Sequence, residues 1–119
     1  MTVQIIKMLC FDATEPSNSN SDRRSYGNNR YIHSNLRQWL NSAAGPGAWY
    51  TAQHSADQGP DASHVWNNCN PYLSLAGFLN AFSANERAAL LSTTITVGKS
   101  STDGGGTETC TDKIFPLSC

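Results

Sequence analysis

The sequence predicts a small, single α+β domain in which short helices pack on a mainly antiparallel sheet. Three observations carry that expectation: an apolar, β-branched opening from Val3 to Phe11, helical spacing of apolar residues in the middle of the chain, and strand-like runs from Thr93 onward. At 119 residues the chain has room for one modest core, so residues 1–119 are read as one domain.

Taken in order, Val3 to Phe11 reads as a strand. The polar run from Glu15 to Ser25 has no apolar periodicity, and its Asn and Ser side chains favour turns, so a loop is expected there. The first helix is expected to start at Ser34, whose hydroxyl caps orphan N–H groups, with Leu36, Trp39 and Leu40 on its apolar face. The Ala-Gly-Pro-Gly run at 44–47 ends it. Residues 45–72 then form a long connection whose large rings, Trp49, Tyr50, Trp66 and Tyr72, argue for order, because disordered segments are poor in aromatics.

Leu75, Phe78, Leu79 and Phe82 follow helical spacing and predict a second short helix, weakened at Gly77 by about 1 kcal/mol relative to Ala. Ser83 to Glu86 is a capping-box sequence that announces a third helix through Leu91. Thr93 to Val97 reads as a strand, Asp103 to Gly106 as a turn, and Thr107 to Thr111 as the next strand. Ile114 to Leu117 reads as a further strand, demoted to an edge by Pro116, which has no N–H to donate.

Composition removes several function classes. The net charge is −1, only 14% of residues are charged, and basic side chains are scattered, so no nucleic-acid partner is expected. No segment approaches the roughly 18 consecutive apolar residues of a membrane span, and the opening residues lack the pattern of a signal peptide. Cys10, Cys69, Cys110 and Cys119 match no zinc or redox spacing. Without a leader, free thiols are the default reading; a disulfide stays open for an extracellular protein.

His54, Asp57, Asp61 and His64 have the side chains of a metal site, but their spacing matches no standard one, and no metal or other cofactor is expected. No nucleophile elbow is present, and the glycines at 104–106 lack the Lys-Ser/Thr ending of a phosphate loop, so no enzyme is expected. A hydrolase would need converging groups, such as Asp57, Asp61 and Glu15 in one cleft. Binding is the better reading. Trp49, Tyr50, Trp66 and Tyr72 can stack on sugar rings beside Asn68 and its neighbours, joined by Asn29 and Tyr31 from the polar lead-in to the first helix. The competing reading is that half or more of these rings seal the long loop onto the helices.

The runs FDATEPSNSNS, YGNNRYIHSNLRQWLNS, the Trp49-Tyr50 pair, AGFLNAFSANERAALL and TDKIFPLS occur in an order and spacing that resemble an uncharacterised bacterial and phage domain family of unknown function, from about Phe11 to the C-terminus. The resemblance implies a place in phage or prophage structural regions or on a cell surface, and a scaffold compatible with a C-type-lectin-like fold. The calcium motifs of that fold are not met: Ser17 interrupts Glu15-Pro16-Ser17-Asn18, and Asn68 removes a carboxylate from Trp66-Asn67-Asn68. Family members usually read Phe-Leu-Leu-Ser where this chain has Pro116, which implies a minimal or truncated copy whose sheet edge is completed by another subunit or a virion protein. The expected function is a non-enzymatic virion- or surface-associated module, located on the virion or outside the cell, that binds glycan or another host-surface ligand. The alternative is an oligomeric assembly protein whose aromatic loops form subunit contacts.

Overall fold

The computed structural model describes residues 9–66 and 69–116. Along the chain these form α1 (Ser21–Tyr26), a 3-10 turn (Tyr31–His33), α2 (Asn35–Leu40), a second 3-10 turn (Phe78–Ala81), α3 (Ala84–Ala89), β1 (Thr93–Gly98), a third 3-10 turn (Ser101–Asp103) and β2 (Thr107–Asp112). The class is α+β, as the sequence predicts. The sheet described is a single antiparallel pair, with Thr93 opposite Asp112 and Gly98 opposite Thr107. Of the opening strand, residues 3–8 lie outside the described residues; Leu9 makes one parallel bridge with Asn70.

Caps set the helices. Ser34 Oγ accepts the Arg37 N–H at the start of α2, and Ser83 and Glu86 close the reciprocal box that starts α3. The expected second helix is one 3-10 turn preceded by Gly77, which packs on the backbone of Ser42; a side chain at Gly77 would overlap that carbonyl. Helix α1 lies where a loop is expected. It is capped by Asn20, which accepts the Arg23 N–H, and carries no buried residue, so no apolar stripe marks it. Ile114 to Pro116 form no strand, and Leu117 lies outside the described residues.

The core is aromatic. Trp49 stacks parallel on Tyr72 with centroids 5.5 Å apart, while Trp39 meets Tyr72 and Phe78 edge-on at 5.8 and 5.3 Å. Their polar atoms are mostly bonded: Trp39 Nε1 donates to the Ala76 carbonyl and the Tyr72 hydroxyl donates to the Cys10 carbonyl. Cys10 is joined to Cys69 by a disulfide, which corrects the reading of free thiols for this pair; Cys110 forms no disulfide among the described residues. The closure spans 59 residues and ties the first described segment to the end of the long connection.

An isolated two-stranded hairpin is marginal in water. Here three arginines grip it from the helical half: Arg23 on Asp103, Arg30 on Glu108 and Arg37 on Asp112, each with two or more N–H···O bonds. Such forked pairs fix orientation as well as distance. The Tyr31 hydroxyl adds a bond to Asp112 at 3.1 Å.

Candidate functional site

Segment 11–13 is the base on which the site is built. Both Asp12 oxygens accept backbone N–H groups, from Asn35 and Asn28, while Asn35 Oδ1 accepts the Ala13 N–H at 2.7 Å. Gly27 closes α1 at φ 84°, and a side chain there would run into the backbone carbonyls of Asp12 and Ala13. That close approach sets Tyr26, the last residue of α1, beside Phe11.

Trp66 comes to the same place from the long connection. A turn from Asp61 leads to it, the Thr14 N–H donates to the His64 carbonyl, and the Cys69 N–H donates to the Trp66 carbonyl. Tyr26 and Trp66 meet edge-to-face, centroids 5.4 Å apart and planes at 85°. They are 55% and 50% exposed, so neither is a core ring. With Phe11, Asp12 and the Cys10–Cys69 disulfide they line a largely apolar groove of about 470 Å³.

A second, more polar groove of about 230 Å³ runs along the other side of Tyr26, past Asn20, Asp22, Asn29 and Thr102. Arg23 in its wall is committed to Asp103 and donates to Asn29 Oδ1 at 3.0 Å. The Asn29 amide nitrogen has no protein partner among the described residues and is exposed in the groove lining. An apolar ring wall with amide and hydroxyl groups on its flank is the arrangement that orients a sugar or a similarly amphipathic molecule.

The sequence-derived site residues separate into distinct groups. Asn29 and Trp66 are exposed and belong to these grooves. Tyr31, Trp49 and Tyr72 are 2%, 5% and 0% exposed; their rings are core and present no face to a ligand. Tyr50 is half-buried, edge-on to Trp49. Asn68 lies outside the described residues. Tyr26 opens the polar lead-in that also carries Asn29 and Tyr31, and it is the ring of that stretch that lines the grooves.

Beneath the apolar groove, and sharing Asp12 with it, lies a small polar cavity bordered by Asp12, Glu15, Tyr50 and Asp57. Burial, with the neighbouring Glu15 charge, pushes the Asp12 carboxyl up, although the N–H donors of Asn28 and Asn35 pull it down. Burial and then the Asp57 charge push the Tyr50 phenol up to about 12. Glu15 and Asp57 therefore do converge, but Asp61 does not join them: it pairs with His64 at 2.6 Å on a separate turn.

A family model for a domain of unknown function, DUF6273, matches residues 2–119. The chain belongs to the DUF6273 family. The match takes in nearly the whole sequence, including the opening residues ahead of Phe11. No curated protein and no solved structure matches the chain. Among the described residues of this DUF6273 domain, no helix is long and apolar enough to cross a membrane.

Proposed function

We propose that this DUF6273 domain is a non-enzymatic recognition module of a virion or cell surface, and that it binds glycan by stacking a sugar ring in the Tyr26–Trp66 corner. The observation that carries the proposal is that pair of half-exposed rings at 85° to one another, walled by a groove of about 470 Å³ with polar side chains on the far side of Tyr26. Two aromatic surfaces held edge-to-face by a capped helix and a disulfide lose little freedom when a ligand arrives, so the binding free energy is not spent on ordering them. The Cys10–Cys69 disulfide supports an extracellular setting, where such bonds persist. The resemblance to proteins of phage structural regions points the same way. A glycan array probed with the wild-type chain, Tyr26→Ala and Trp66→Ala tests it. Binding that disappears in both variants supports the proposal; no binding at all, or binding that survives both changes, refutes it.

A second reading rests on the hairpin. Among the described residues β1 and β2 pair only with each other, so each keeps one unpaired edge, and most of their side chains are exposed. Open edges are templates for pairing with another chain. We propose the assembly role as the alternative, with a second subunit or a virion protein completing the sheet. Filaments or rings under negative stain support it, and a monomer by light scattering at all accessible concentrations excludes it.

A further inference from the structure

Glu15 and Asp57, which border the small cavity, and His54 beside Asp57 are not accounted for by sugar binding. Glu15, His54 and Asp57 each bring one ligand atom into a cluster in which all lie within 4.8 Å of one another. Glu15 is 3% exposed, and the Asp57 side chain is 6% exposed. Asp57 Oδ2 accepts the His54 N–H and faces His54 Nδ1, both at 3.0 Å, but Asp57 Oδ1 is buried with no hydrogen-bond partner among the described residues. Glu15 Oε1 accepts from Asn18 Nδ2 at 2.7 Å. A buried carboxylate oxygen without a donor is costly, and a native fold leaves one only where something else satisfies it. The cavity beside it is about 10 Å³, about the space of one water centre or one bare ion.

We propose that Glu15, Asp57 and His54 bind one divalent cation of the zinc or manganese class, with Asp57 Oδ1 as the ligand atom that the protein leaves unpartnered for it. Two carboxylates and one imidazole suit such an ion, whereas calcium demands six to eight oxygens, more than this small pocket supplies. His54 Nδ1 already lies 3.0 Å from Asp57 Oδ2, so it is the ring nitrogen placed to exchange that hydrogen bond for an ion held between the two side chains. A water in the cavity could satisfy one oxygen, but it would not neutralise two buried carboxylates beside each other. The site stands independently of the glycan reading, since none of its ligands lines the Tyr26–Trp66 groove.

The test starts from the chain stripped with a chelator and titrated calorimetrically with Zn²⁺, Mn²⁺ and Ca²⁺ in separate runs, with the thermal midpoint recorded for each. Glu15→Gln, Asp57→Asn and His54→Ala are compared with His64→Ala, which alters the other Asp–His turn pair. One equivalent of Zn²⁺ or Mn²⁺ is expected to bind and raise the midpoint. Affinity should fall about tenfold or more in each ligand variant, and His64→Ala should bind like wild type. His54 is 42% exposed at its side chain, so His54→Ala is expected to stay folded and keeps the test decisive if the buried variants do not. The proposal is overturned if no ion binds stoichiometrically, if Ca²⁺ alone binds, or if His54→Ala binds as well as wild type.

Discussion

Replacing Asp112 with Ala tests how the hairpin is held to the rest of the domain. The Asp112 side chain is 2% exposed and pairs with Arg37 through Nε at 3.0 Å and Nη2 at 2.9 Å. Removing one partner of a buried ion pair costs about 3–5 kcal/mol, because the other charge is left without compensation. The Arg37 side chain is 27% exposed and regains some water, which places this part near the lower end. The Tyr31 hydroxyl also loses its acceptor inside a residue that is 2% exposed, adding about 1 kcal/mol or more. The expected loss is therefore about 4 kcal/mol, a large part of the roughly 5–15 kcal/mol that a domain of this size possesses. Urea unfolding followed by far-UV circular dichroism measures it as a lower midpoint at unchanged slope. Replacing Arg37 and Asp112 together by Met and Leu should recover part of the loss, since no charge is then stranded. A loss below about 1 kcal/mol in Asp112→Ala would class the clamp with solvent-screened surface pairs and rule out a buried ion pair there.

Three further outcomes are expected. Trp49→Ala should cost about 3–5 kcal/mol, as a stacked core ring, whereas Trp66→Ala should cost about 1 kcal/mol, the worth of one exposed aromatic pair; denaturant midpoints of the two variants separate the roles. Reducing the Cys10–Cys69 disulfide should remove about 4 kcal/mol by the loop-entropy relation for a closure of 59 residues, seen as a lower urea midpoint with reductant present. The Arg23 and Arg30 guanidinium groups hold the Asp103 and Glu108 carboxyls below their usual range, so their contribution is present above the unfolded values of about 4 and lost as pH falls through the lower folded values. Stability measured against pH should therefore drop on the acid side, and Arg23→Met with Arg30→Met should flatten that slope.

Much of the fold was legible where local chemistry decides it. The Ser34 cap with Leu36, Trp39 and Leu40, the Ser83–Glu86 box, and the strands flanking the glycine turn all follow from nearest-neighbour rules, and all are present. What stayed hidden depends on distant parts of the chain. Nothing near Arg30 and Arg37 in the sequence shows what they pair with, because their partners lie 78 and 75 residues away on β2. Helix α1 has no buried face, so periodicity could not reveal it. The four rings of the long connection look alike in sequence. Which of them are core depends on the Trp49–Tyr72 stack and which are exposed on the arrival of Tyr26 beside Trp66, and both are tertiary events.

Stacking of a sugar in the Tyr26–Trp66 corner can be followed through the three tryptophan indole N–H resonances in a ¹⁵N-correlated spectrum during titration with saccharides. Trp39 Nε1 is bonded to Ala76 and Trp49 Nε1 is buried, so only the Trp66 indole is on the surface to report a ligand. A saturable shift of the Trp66 resonance is expected with at least one sugar class, the other two holding still. Sugars that bind while Trp66 stays unmoved, or a full panel that moves nothing, would contradict it.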